Sequence, residues 1–143
     1  MPATKESIRF GQIEIRFLLE SEETQGQLAV FEFAVEAGAK VPMPHSHEHY
    51  DETIYGLEGV ITFTVAGQRH DIPAGGTCFI PRGVPHGFNN FQSSRAKALA
   101  LVTPARIGSQ FFFEMAAVLN GRNPPDVEAL KAVMLKHGLK PAP

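Results

Sequence analysis

The amino-acid sequence predicts an all-β fold, a sandwich or barrel of short strands, followed by two short C-terminal α-helices. Three observations carry this. Between residues 13 and 103 apolar residues recur with period two in short runs, the pattern of strands that bury one face. Those runs are punctuated by Gly56, Gly59, Gly67, Pro73, Gly75, Gly76, Pro81 and Gly83, and short strands at such spacing mark sandwiches and barrels. After Pro104 the apolar period becomes that of a helix. A chain of 143 residues with 43% hydrophobic composition is long enough to bury one core and too short to expect two.

Taken in order, residues 1–12 read as an N-terminal extension, 13–103 as the barrel and 104–143 as a helical appendage packed on it. Ile13, Ile15, Phe17 and Leu19 alternate with Glu14, Arg16 and Glu20, Leu18 being the exception, which predicts a half-buried strand. In QLAVFEFAVEAG, Ala29, Phe31, Phe33 and Val35 share one face and Glu32 and Glu36 the other, and Gly38 ends the run. Further strands are expected at 53–57, 60–66, 68–72, 77–80, 85–91 and 96–103. SQFFFEMAAVLNG follows as a helix with Phe112, Met115, Ala116 and Leu119 on one stripe. After Asn123-Pro124-Pro125 a second helix places Val127, Leu130, Val133 and Met134 on its apolar side and ends near Gly138.

Charge narrows the partners. Thirteen Lys and Arg stand against fifteen Asp and Glu without a basic cluster, so nucleic acid and anionic membrane surfaces are not expected. No apolar run approaches the roughly 20 residues of a membrane-spanning helix. The single cysteine, Cys78, rules out an internal disulfide, and the first ten residues lack a secretion signal, so a cytoplasmic location is expected. Cys78 has no flanking cation or helix start to lower its pKa and reads as a small buried hydrophobe.

The stretch PMPHSHEHYDE, 42–52, is where chemistry concentrates. It places His45, His47 and His49 at alternate positions with Glu52 just beyond. On a strand, alternate residues point the same way, so at least two imidazoles can converge. A lone histidine would be a solvated or hydrogen-bonded residue. Two or three on one face beside a carboxylate suit a divalent transition metal, iron, manganese, nickel, zinc or copper. A further ligand must come from elsewhere, and His86 in GGTCFIPRGVPHGFNN is the candidate. Pro85 fixes the backbone just before it.

The spacing of these residues resembles the cupin superfamily. Gly75, five residues, Pro81, one residue, Gly83, two residues, His86, three residues and Asn90 follow the second cupin motif. His45, Ser46, His47, four residues, Glu52, six residues and Gly59 follow the first. Six residues rather than five separate Gly38 from His45, which suggests a longer turn into the motif. The resemblance implies a cupin jelly-roll, a double-stranded β-helix barrel, whose mouth holds one divalent metal on His45, His47, Glu52 and His86. A His47 and His49 pairing would leave only two residues before Glu52, so His49 is placed at the cavity rim or beside the ligands, or in solvent.

Cupins host dioxygenases, isomerases, decarboxylases, sensors and storage proteins, so fold does not give function. The layout of one barrel, a phenylalanine-rich helix and PPDVEALKAVMLKHGL looks like the small bacterial cupins described as quercetin 2,3-dioxygenase-like. That resemblance implies a metal-dependent dioxygenase acting on a small oxygenated aromatic or diketone. A metal-dependent isomerase or lyase and a non-catalytic metabolite-binding protein are the alternatives. A DNA-binding sensor is disfavoured, because two helices of little basic charge are too small a reader. Glu52 is the candidate general base as well as a ligand. Phe88, which shares the parity of His86, and Tyr50 are candidate substrate contacts with His49. Gly56 either enlarges the cavity or marks a bulge. The 111–113 FFF run reads as core, and His70 and His137 as surface residues. A homodimer is expected, formed through the strand at 13–19, where Leu18 leaves an apolar outer face.

Overall fold

In a computed structural model, residues 5–39 and 44–142 are described. The elements in chain order are β1 (Ser7–Phe10), β2 (Ile13–Leu19), α1 (Ser21–Thr24), β3 (Ala29–Val35), β4 (His45–His47), β5 (Asp51–Glu58), β6 (Val60–Val65), β7 (Gln68–Pro73), β8 (Thr77–Ile80), β9 (His86–Asn89), β10 (Ala96–Thr103), α2 (Ser109–Gly121), α3 (Val127–Lys136) and β11 (Leu139–Pro141). The strands form two antiparallel sheets, ordered β1-β2-β3-β10-β5-β8 and β11-β4-β9-β6-β7. Their inner faces enclose a single apolar core around Phe17, Val35, Ile54, Ile61, Ile80 and Val102. This is the all-β architecture expected from the period-two runs, and the jelly-roll that the resemblance implied. The extra turn expected between Gly38 and His45 falls largely on 40–43, outside the described residues.

Residues 7–10, read as part of an extension, form β1 and pair with β2 from Ser7↔Arg16 to Phe10↔Ile13. Ile8 and Phe10 of that strand are core residues. The strand at 13–19 therefore lies between β1 and β3, and β1 rather than β2 is the edge strand at this end of the sheet. Only four residues long with polar alternates, β1 carries too short an apolar pattern to read as a strand from sequence.

Gly56 resolves as a bulge. The register of β10 on β5 slips there, with Lys97 opposite Glu58 and Ala98 opposite Gly56. Gly56 also exchanges backbone hydrogen bonds with the following turn, donating to Gly76 and accepting from Gly75, each at 2.9 Å. A Cβ at position 56 would stand 2.0 Å from the Pro73 carbonyl oxygen. Glycine is required because two backbones meet here.

The helices pack against the barrel beside β1, β11 and each other. On α2 the buried residues are Phe111, Met115 and Ala116, so the inward stripe is turned slightly from the expected one. Its first turn is satisfied from a distance: Glu20 accepts from the Ser109 N–H at 2.8 Å and from the Ser109 hydroxyl, supplying the carboxylate that a helix N-terminus favours. On α3, Leu130 and Met134 are buried but Val127 is 49% exposed. Asp126 caps this helix through Ala129 N–H, and Gly138 takes a left-handed φ of +83° just past its end. Glu114 ties the two helices together by accepting from Lys136 at 2.9 Å and meeting His137 Nε2 at 3.2 Å. His137 is accordingly half-buried rather than a plain surface residue.

Gly56→Ala is expected to lower stability by about 3 kcal/mol, because neither the strand nor the Pro73 backbone can yield without repacking. Urea unfolding followed by far-UV circular dichroism measures it. An unchanged midpoint would show that the close approach is not tight.

Candidate metal centre

Two strands deliver the histidines to one place, and a third brings the carboxylate. Strand β4 carries His45 and His47, and its pairing with β9 sets His45 opposite His86. The turn before β9 is fastened to the barrel at several points. Gly83, at φ +80°, donates to the His47 carbonyl at 2.8 Å, and the Arg82 backbone and guanidinium bind Asp51. Glu52 arrives from the other sheet on β5, opposite Ile80 of β8 and Val102 of β10. Side chains from both sheets thus meet between them.

One nitrogen from each of His45, His47 and His86 lies within 4.8 Å of the others. The His45–His86 and His47–His86 ring centroids are each 4.7 Å apart, nearly edge to face. Glu52 sits beside this group, with Oε1 3.0 Å from His47 Nε2 and 3.9 Å from His86 Nε2. Burial raises the Glu52 carboxyl, but the His47 hydrogen bond and the neighbouring imidazoles outweigh it and hold the group below its ordinary value. It is a carboxylate. Burial pushes His86 down more than Glu52 and the Val84 carbonyl push it up, so its imidazole is neutral at physiological pH.

Whether a metal fits here turns on where the ring protons lie. His47 Nδ1 faces the Tyr50 carbonyl at 3.1 Å and His86 Nδ1 faces the Val84 carbonyl at 3.0 Å. A carbonyl only accepts, so each Nδ1 carries the proton, and in a neutral ring Nε2 presents a lone pair. Without a proton on His47 Nε2 to bridge it to Glu52 Oε1, 3.0 Å away, two buried nitrogen lone pairs and a carboxylate oxygen converge. Such acceptors repel unless a proton or a cation lies among them. Nitrogen donors with one carboxylate suit a divalent transition ion, and backbone acceptors behind ligand imidazoles are the usual support. The residues present fit the metal that the sequence implied.

The cluster opens on a cavity of about 80 Å³ between the sheets. One water needs roughly 10–15 Å³, so the space admits a small organic molecule. His45, His86, Glu52 and Tyr50 supply its polar end. The rest of its described lining is apolar, and no Lys or Arg is part of it. Phe88 lines it as expected, in contact with Phe33 and Phe63. Phe112 and Met115 of α2 and Met134 of α3 close the far side.

The remaining candidates divide. Tyr50 is 3% exposed and stacks on His47 with centroids 3.9 Å apart. Burial first, and the charge of Glu52 second, hold its phenol well above the ordinary value. His49 is exposed and absent from the cavity lining. Strand β4 ends at His47, so the alternation that was to align His49 stops before it, and its ring lies over Gly138 instead. Burial raises the half-buried Cys78 thiol, as does Glu52, consistent with an unreactive residue. The FFF run splits: Phe111 is buried, Phe112 lines the cavity and Phe113 is 43% exposed. Sequence reasoning missed Phe31, Phe33, Phe63 and Phe112 as cavity walls. Strand parity and helix period point them inward, but an inward residue that packs core and one that lines a cavity have the same pattern.

A profile of the cupin domain matches residues 31–102. The chain belongs to the cupin family. No curated protein matches the sequence. Among solved structures, a predicted oxalate decarboxylase from Thermotoga maritima is 25% identical with a TM-score of 0.63, over 71% of this chain and 92% of that one. KdgF from Halomonas sp. is 16% identical, with a TM-score of 0.62 over 73% and 94% of the two chains. A sugar phosphate isomerase of the cupin superfamily from Silicibacter pomeroyi is 22% identical, with a TM-score of 0.60 over 71% and 75%. The latter two likenesses bear on fold alone.

His86→Ala is expected to weaken metal binding by more than the roughly 10–100-fold that losing a supporting residue costs, whereas His70→Ala, on the exposed face of β7, leaves it unchanged. Elemental analysis after dialysis checks both. The pH dependence has a definite sign: ligand nitrogens bind only when unprotonated, so metal is retained above and lost below the histidine range. Because the His86 pKa lies below the ordinary 6.5, the loss begins below that value. Metal content that stays flat from about pH 8 to 4 would contradict histidine ligation.

Proposed function

We propose that this cupin is a metal-dependent dioxygenase for a small, mainly apolar substrate bearing an ionisable oxygen, an oxygenated aromatic or a diketone. The observation that carries the reading is the pairing of the three-histidine cluster with a cavity whose described lining, apart from His45, His86, Glu52 and Tyr50, is apolar and has no Lys or Arg. A dicarboxylate or sugar phosphate would have only the metal ion, already shared with Glu52, to partner its several charges, with no Lys or Arg beside it, which low-dielectric surroundings penalise. An aromatic body against Phe33, Phe63 and Phe88 gains from burial instead.

His45, His47, Glu52 and His86 would hold the ion. A redox-capable divalent metal supplies Lewis acidity and electron exchange between substrate and O₂. Dioxygenation needs no external reductant, since both oxygen atoms enter the organic product and the substrate supplies the four electrons. Glu52, on the polar side of the cavity, takes the proton from the substrate's hydroxyl or enol and leaves the oxygen anionic. The phenylalanine walls and α2 keep water from the ionised substrate.

An oxygen electrode tests this with protein loaded with Fe(II), Mn(II) or Ni(II) and offered flavonols, diketones and catechols, the expected stoichiometry being one O₂ per substrate. Glu52→Gln should slow turnover roughly a hundred-fold or more while retaining more metal than His86→Ala, and the deficit should shrink for substrates already ionised at the assay pH. No O₂ uptake, with anaerobic interconversion of a sugar or keto acid by the same protein, would replace this reading with a metal-dependent isomerase.

A further inference from the structure

Among the described residues lining the cavity, Tyr50 holds the one polar group that the cluster does not explain. Its backbone carbonyl orients His47 and its ring stacks on that imidazole at an interplanar angle of 18°, but a phenylalanine would do both. The hydroxyl is different. Among the described residues it has no hydrogen-bond partner, although a buried tyrosine hydroxyl normally finds one. No fully enclosed side-chain oxygen or nitrogen of the described residues lacks a partner, so the hydroxyl opens onto space, and the residue lines the cavity. The stacking at 3.9 Å keeps that oxygen within a small molecule's width of the imidazole nitrogens.

We infer that the Tyr50 hydroxyl is a second anchor point of the site, donating a hydrogen bond to a ligand oxygen that neighbours the oxygen held at the His45–His47–His86 cluster. The ligand chemistry that satisfies both points is a pair of adjacent oxygens, a hydroxyl beside a carbonyl or a second hydroxyl, on an apolar ring or chain. The inference rests on the reading that a ligand oxygen sits at the cluster. It does not require that O₂ reacts there. Nor is the tyrosine replaceable by another donor in place, because no Lys or Arg and no second hydroxyl or amide side chain is among the described residues lining the cavity.

Zinc-loaded protein, which is redox-inert, separates recognition from turnover. Two chromogenic probes differ by the second oxygen: 4-nitrocatechol has it and 4-nitrophenol does not. Visible titration of wild type and Tyr50→Phe should show the variant binding 4-nitrocatechol about ten-fold more weakly, the scale of one hydrogen bond to an ionised or strongly polarised oxygen. Affinity for 4-nitrophenol and zinc content by elemental analysis should stay unchanged, which a merely structural role for the ring would not predict selectively. If both catechol oxygens bind the zinc instead, the variant holds 4-nitrocatechol as wild type does, and the inference is overturned. Equal weakening of both probes overturns it too. A selective loss in zinc protein alongside no O₂ uptake in iron protein would retire the dioxygenase reading and leave the Tyr50 anchor standing.

Discussion

Two backbone carbonyls, those of Tyr50 and Val84, decide which way His47 and His86 present their lone pairs. Each accepts a hydrogen bond from Nδ1–H and so turns Nε2 toward the other ring and toward Glu52. The rest of the site is built around keeping those carbonyls in place. Gly83 fastens its turn to the His47 carbonyl, and Asp51 receives the Arg82 backbone and guanidinium. His86 therefore enters at a fixed angle. A cluster of convergent acceptors inside an apolar barrel has little reason to persist without something cationic at its centre.

Contacts to the backbone fix where the strands of the barrel bend and end. At Gly56 the bulge and the Pro73 carbonyl leave no room for a side chain. At the other end of β9, buried Asn90 donates to the carbonyls of Val35 and Ser94 and accepts from Gln92 N–H. One amide thereby joins β3 to the loop that leads into β10. Its position at the end of the second motif has a physical reason: all of its hydrogen-bonding capacity used is spent on backbone, which sets where the strand bearing His86 ends.

The helices do more than cover a sheet. Phe31 lies 4.9 Å from Phe17 and 5.3 Å from Phe112 by ring centroids, so α2 continues the aromatic interior of the barrel past its strands. The tie of Glu114 to Lys136 and His137 and the capping of α2 by Glu20 hold this wall against the barrel. Strand β11, reached after α3, then pairs with β4 beside the histidine cluster, with Leu139 opposite His47. The C-terminal segment is thus joined to the site both through the cavity wall and through the sheet.

Much of this was legible before any coordinates. Alternation located β2 and β3, and the strand expected at 96–103 is β10. The helix at 109–121 was legible from its change of period, and the ligand candidates from motif spacing. What the sequence by itself determined was the local pattern and the chemistry available: an all-β chain with histidines and a carboxylate in reach of one ion. Tertiary structure decided which of them meet. His49 matches the alternation of His45 and His47 but falls beyond the end of β4, where the period-two rule no longer holds. Tyr50 and Phe112 became cavity residues only because two sheets and a helix close on the same space. Strands β1 and β11 are too short to announce themselves, and they exist because β2 and β4 offer hydrogen-bonding edges. Periodicity reports which face is buried, whereas what that face is buried against depends on contacts between residues far apart in the chain.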